Sequence, residues 1–270
     1  SCHREIISNV QTKKIPFVVV FKECFKNDNL WLDTIEIYKH LFINSKVTKI
    51  LVHNSDSKKA IVNSGIINKN KIIIVGQARS DKLFLNNNIR KSIRKKILFF
   101  AISPNSGLPN INLELLPNRS ADEKERQLLI KLRKNHNDKI LKSLINYVSK
   151  NTEFDLVVKG KQKFWFDFKN FRNKNIFFEA GQPNFDLLLS SSVAVGFNTT
   201  GLIEAVVANI PAISVELKED KKYKHEYLNV IYQVEDTKLL WKKLDQILYD
   251  KIMQENKNKN YIINKYLGNS

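Results

Sequence analysis

Asn198, Thr199, Thr200 and Gly201 directly follow a short apolar run, and Glu204 stands about one helical turn further on. Small, amide and hydroxyl residues ahead of an apolar-periodic segment mark a helix start, where Asn and Thr side chains cap the first free N–H groups. A helix start of this kind binds an anion such as phosphate, because its unused backbone donors and the helix dipole both favour negative charge. A carboxylate one turn in is suited to accept hydrogen bonds from the hydroxyls of a ribose. Donors for phosphate beside an acceptor for ribose outline a nucleotide site. The bland alternative uses the same residues: Thr and Asn as ordinary caps, and Glu204 as a charge favourable to the dipole.

The elements that must position these residues are legible around them. Val193-Ala194-Val195-Gly196 reads as a buried strand of a parallel sheet, and Ala212-Ile213-Ser214-Val215 as the next one. Between them Leu202, Ile203, Val206 and Val207 give a helix one apolar face, with Glu204 projecting elsewhere, and Asn209 and Pro211 end it. Similar apolar runs predict strands over 15–21, 49–53, 71–75, 96–101, 154–158, 175–178 and 230–234. Helices are predicted over 122–150, through Leu141, Leu144, Ile145 and Val148, and over 236–252, through Leu240, Leu244, Ile247 and Leu248. A short helix capped at Asn54-Ser55 runs through Ala60-Ile61-Val62 and stops at Gly65. Strands alternating with helices specify an α/β protein whose parallel sheets are covered on both faces. No internal repeat is present.

Further candidates sit at the expected carboxyl ends of strands, where open α/β sheets meet their ligands. They are Gly76 and Arg79 in the turn VGQARSD, Ser103, Asn105 and Gly107 in the loop SPNSGLP, and Lys159 and Lys161 in KGK. A lysine there meets a phosphate as a point charge. Glu23 and His53, each just past a predicted strand, are the candidate bases for deprotonating a hydroxyl. The segment 159–174 interleaves bases with Phe164, Trp165, Phe166, Phe168 and Phe171, which suits either a membrane-surface patch or aromatics packed under the sheet. The polar stretch over 82–95 reads as a linker, giving a first domain over residues 1–95 and a second over 96–270.

Composition narrows the classes. A chain of 270 residues, 43% hydrophobic, can bury one substantial core or two modest ones. No apolar run reaches the roughly 20 residues of a membrane-spanning helix, and the amino-terminal SCHREIISNVQTKK lacks the apolar centre of an export signal. Cys2 and Cys24 form no disulfide framework and read as free thiols of a reducing cytoplasm. The net charge of +18 is mostly lysine spread along the chain among many Asn and Ile residues, without a nucleic-acid motif. Nucleic acid is therefore not expected as a partner; sugar nucleotides, lipid phosphates or an acidic membrane face are. No Asp-x-Asp triplet occurs and the five histidines lack ligand spacing, so neither a metal nor a cofactor is expected.

The order of blocks carries a resemblance. IPFVVVFKE, the strand–helix–strand unit ending in VGQARSD, KILFFAISPNSGLP and the Glu204 block together resemble GT-B glycosyltransferases of bacterial surface-carbohydrate and capsule biosynthesis, from about Ile15 to Val215. The Glu204 block is also similar to that of the UDP-N-acetylglucosamine 2-epimerases. The resemblance implies two Rossmann-like lobes, the second doubly wound, with Arg79 and Asp81 closing the first. Three predicted strands before residue 95 are about half of a full first lobe, which therefore reads as incomplete. It further implies metal-independent transfer of a sugar from a nucleotide donor to a polysaccharide or lipid-linked glycan, in the cytoplasm or at the inner membrane face. Asn198, Thr199, Thr200, Gly201 and Glu204 match the positions that hold the nucleotide sugar in those families. One departure is that Lys159-Gly160-Lys161 stands where capsule Kdo transferases carry a His-Pro pair, which disfavours a CMP-Kdo donor. Two alternatives remain open: a UDP-sugar 2-epimerase, and a truncated, non-catalytic GT-B paralogue.

Overall fold

A computed structural model describes residues 9–10, 12–13, 15–20, 47–65, 67–77, 80–81, 83, 94–102, 123–160, 174–181, 184–197, 199–217, 230–250 and 259–267. They form two compact units. The first holds the described residues up to Asp81 and those from Asn260 onward; the second lies between Lys82 and Lys259.

In the first unit β1 (Val18–Val20), β2 (Lys49–Val52) and β3 (Ile72–Ile74) form a parallel sheet in that order, with Val19, Ile50 and Ile72 in register. The crossover from β2 to β3 is α1 (Ser55–Asn63), and its start is set as the residue types require: Asn54 Oδ1 accepts from Ser57 N at 2.8 Å. Gly65, at φ 70, turns the chain out of the helix in a backbone region open to glycine. Ile61 joins Val47, Ile50, Val52 and Ile72 in a small core on one face of the sheet. Val18, Val20 and Ile73 on the other face are 47%, 65% and 41% exposed, so the described elements cover only one side of this sheet. At the carboxyl end α6 (Lys259–Ile262) passes into a π-helical turn, Ile263–Leu267, that buries Leu267.

The second unit contains β4 (Lys95–Ala101), β5 (Phe154–Gly160), β6 (Ile176–Ala180), β7 (Val193–Gly196), β8 (Ala212–Val215) and β9 (Tyr232–Val234). They form one parallel sheet in the order β6-β5-β4-β7-β8-β9. The helices α2 (Glu123–Lys150) and α5 (Thr237–Leu248) cover the face made by Ile97, Phe99, Leu156, Val158, Val193, Val195, Ile213 and Val215. Leu141, Leu144, Ile145 and Val148 of α2, with Leu240, Leu244, Ile247 and Leu248 of α5, are all buried, as their helical spacing predicts. Each fully buried side chain of this kind contributes roughly 1.5–3 kcal/mol. The opposite face carries α4 (Thr200–Val207), packed on β7 and β8, so the unit is doubly wound.

All nine expected strands form. The differences lie at the ends: β1 is shorter than 15–21, and β5 runs on to Gly160 because Lys159 and Gly160 continue to pair with both β4 and β6. A short helix without a sequence expectation, α3 (Phe185–Leu189), starts where Asn184 Oδ1 accepts from Leu187 N at 3.1 Å. At the edge where β5 begins, the Tyr249 hydroxyl lies 2.5 Å from Glu153 Oε1, and Arg94 pairs with Asp155 at 2.9 Å.

Candidate functional site

The chain leaves β4 for β5 on one side and later returns to β7 on the other. The strand order thus reverses between β4 and β7, and the carboxyl ends of strands at such a reversal form the ligand crevice of open α/β sheets. Because β4 and β7 are parallel neighbours, Ile102 and the turn beginning at Phe197 issue from the same edge.

At that edge α4 starts in the manner its residues dictate. Thr199 is the N-cap, extended at φ −128 and ψ 142, and its Oγ1 accepts from Gly201 N at 3.3 Å. Gly201 is required for space: a Cβ there would lie 2.7 Å from Phe100 Cζ, and within 2.9 Å of two further ring atoms. A Cβ on Gly196 would stand 2.9 Å from Thr199 Cγ2. The helix start is therefore seated so closely on the Phe100 ring that a methyl group there would force the ring or the helix to shift. Asn209, at φ 58, ends the helix as expected.

Glu204 is more enclosed than its spacing suggests. Every residue from Gly201 to Val207 is buried, and Glu204 itself is 5% exposed. The helix is therefore not one-sided in its burial, and Glu204 has a partner within the protein. The one-sided pattern failed as a guide because the helix is enclosed on all sides, and only the identity of its neighbours sets that.

Register places Lys159 on the same face. Ser214, Gly196, Phe100, Lys159 and Glu179 are successive partners across β8, β7, β4, β5 and β6, and the side chains of such a row share a face. Lys159 thus stands one strand beyond Phe100, buried, with Nζ 3.2 Å from Glu179 Oε1. Asn184 Nδ2 donates to the same oxygen at 3.1 Å. Lysine reaches this edge with its charge shared, a pairing between strands 20 residues apart that spacing does not disclose.

The reverse face of the crevice is built by residues that no motif singles out. His136 of α2, 2% exposed, donates from Nε2 to Val215 O at 2.7 Å and stacks on Phe197 with ring centroids 4.2 Å apart. Asn137 Nδ2 donates to Ile102 O at 3.1 Å and to Arg133 O at 2.8 Å, while its Oδ1 accepts from Ile102 N at 3.4 Å.

In the first unit two separate expectations meet. His53, at the end of β2, has Nδ1 2.9 Å from Gly76 O, and Gly76 takes φ 70 just past β3. A carbonyl only accepts, so Nδ1 carries the hydrogen of this bond. Nε2 is buried without a hydrogen-bond partner among the described residues, as is Ser57 Oγ of α1. Glu23, Arg79, Ser103, Asn105, Gly107, Lys161 and Asn198 lie outside the described residues, as do the aromatics of 161–173. Among the described residues no group of three His, Cys, Asp or Glu is placed to hold a metal ion, and no helix is long and apolar enough to cross a membrane.

No family model and no curated protein matches the sequence. Solved structures do match its fold. The wall teichoic acid polymerase TagF, soaked with CDPG, is 13% identical with a TM-score of 0.54 over 91% of this chain and 57% of that one. The Staphylococcus aureus MnaA–UDP structure is 11% identical with a TM-score of 0.54 over 96% of this chain and 65% of that one. The UDP-GlcNAc 2-epimerase of Neisseria meningitidis bound to UDP-GlcNAc is 12% identical with a TM-score of 0.53, over 98% and 68%. The chain thus spans less than two thirds of the length of the first two. The likeness, together with two parallel α/β units of which the second is doubly wound, establishes the GT-B-like fold.

Proposed function

We propose that the chain is a glycosyltransferase that takes a nucleotide sugar as donor and a surface polysaccharide or lipid-linked glycan as acceptor. The observation that carries this reading is the start of α4, with Gly201 seated on the Phe100 ring and Gly196 close under Thr199, at the reversal between β4 and β7. In this reading the α4 start, with Asn198, Thr199, Thr200 and Gly201, takes the phosphates. Glu204 accepts from the ribose, Lys159 and Lys161 supply positive charge, and Ser103, Asn105, Gly107, Gly76 and Arg79 are the further contacts to the nucleotide sugar. No metal or cofactor takes part. The bond from the sugar carbon to the nucleotide breaks as helix N–H groups and lysines stabilise the leaving phosphate. The acceptor oxygen forms the new bond and gives its proton to Glu23 or His53. The net charge of +18 suits work in the cytoplasm at the inner membrane face.

A second reading is a UDP-sugar 2-epimerase, favoured by the fold shared with the N. meningitidis enzyme. Incubation with UDP-N-acetylglucosamine and no acceptor separates the two: an epimerase yields a new sugar. A thermal-shift screen against CMP-, UDP-, GDP- and CDP-linked sugars tests the donor site itself, since a ligand of the folded state raises the midpoint with its affinity. Glu204→Gln is expected to weaken the best nucleotide by roughly 1.5–3 kcal/mol, the range for hydrogen bonds to a charged group. Unchanged affinity would leave Glu204 a purely structural carboxylate. A truncated, non-catalytic paralogue would bind the nucleotide and transfer nothing.

A further inference from the structure

We propose that His136 and Asn137 are positioning residues of the nucleotide site, one turn of α2 that sets the three strand ends around the crevice. The inference rests on the donor-site reading above and adds residues outside the proposed ligand contacts. Each of the two holds a different end. Asn137 pairs with both the N–H and the C=O of Ile102, as a neighbouring peptide group would, at the point where β4 leaves the sheet. His136 donates to the carbonyl of Val215, the last residue of β8, and its ring stacks on Phe197, the first residue after β7. The ends of β4, β7 and β8 are thereby fixed from one helical turn.

The α4 start is consequently held from both faces of the sheet. On one side Gly201 rests on Phe100; on the other Phe197, four residues earlier, rests on His136. A site that binds through backbone N–H groups depends on where the backbone stands, because a donor displaced from its acceptor loses the bond while keeping its chemistry. Residues that only stabilised the unit could have packed anywhere along α2. Both of these are nine-tenths or more buried polar side chains, and both direct their hydrogen bonds to main-chain atoms at the crevice edge.

The experiment uses the whole chain and UDP as probe, with CMP, CDP and GDP as further arms. His136→Phe keeps the ring stack and loses the N–H; His136→Gln keeps a donor and loses the ring; Asn137→Ala loses both bonds to Ile102. In folded variants, UDP binding is expected to weaken about tenfold for His136→Phe and Asn137→Ala, with partial recovery in His136→Gln. Variants that melt lower yet bind UDP as the parent does would overturn the inference and leave the donor site standing. A parent chain that binds none of the four nucleotides would overturn the donor site, and this inference with it. Should the variants fail to fold, amide exchange in the unaltered chain decides. Saturating UDP is expected to slow exchange at Ile102 and Phe197, and unaltered exchange at both would overturn the proposal.

Discussion

Replacing Gly201 by alanine tests the seating of α4 most sharply. The added methyl would lie 2.7, 2.8 and 2.9 Å from Phe100 Cζ, Cε2 and Cε1, whereas ordinary contact begins near 3.4 Å. Helix and ring must therefore separate by about 0.7 Å, the difference between 3.4 and 2.7 Å. Overpacking of this kind costs about 1–3 kcal/mol. Two effects reduce that figure: Phe100 is half-buried, so its ring can tilt, and alanine is the better helix former by at most about 1 kcal/mol. The net expectation is a loss of about 1–2 kcal/mol, or a melting midpoint roughly 2–8 °C lower. Thermal melts of Gly201→Ala should be compared with those of the same change in a Phe100→Ala background. Without the ring the three nearest clashes are gone, so the change there should cost much less, and the difference measures the coupling. A midpoint that rises on Gly201→Ala, or an equal cost in both backgrounds, would refute the close seating.

Lys159→Met leaves Glu179 half-exposed and solvated, so stability should fall by about 1 kcal/mol or less while nucleotide affinity weakens several-fold; calorimetric titration beside a melt separates the two. Asn175→Leu strands the carbonyls of Val148 and Phe154, which its Nδ2 now serves at 3.0 and 2.9 Å, and a urea titration should show a loss of about 2–4 kcal/mol. Tyr249 is pushed up to about 12, chiefly by donating to Glu153, and the same bond holds the Glu153 carboxyl low. The raised Tyr249 value means its contribution is fully present below pH 10.0 and lost towards pH 12, while that of Glu153 is lost as pH falls through the carboxylate range. The stability gap between the parent and Tyr249→Phe should therefore be flat at neutral pH and close at both extremes. A gap that persists at pH 12 would contradict the bond.

Strands were legible because a parallel sheet buried on both faces leaves continuous apolar runs, as at Val193–Gly196 and Ala212–Val215, which lie where the residues place them. Helix ends were legible where a side chain acts on its own turn: Asn54 and Thr199 as caps, Gly65 and Asn209 as stops. What escaped reading is non-local. The burial of Glu204 depends on what encloses α4, and the Lys159–Glu179 pair on register between β5 and β6. His136 and Asn137 sit in the middle of a long helix, and nothing near them in sequence distinguishes a side chain aimed at a strand end from one aimed at solvent.

In the proposed site a nucleotide sugar binds at the α4 start, between the ends of β4 and β7. Amide chemical-shift mapping of the isotope-labelled chain, titrated with the nucleotide sugar that gives the largest thermal shift, tests it directly. The expected result is that the largest changes fall on Thr199, Thr200 and Gly201, with Phe197 and Ile102 next, and that they saturate with the same affinity found by calorimetry. Saturable binding that leaves those amides unmoved, or no binding by any nucleotide sugar, would contradict it.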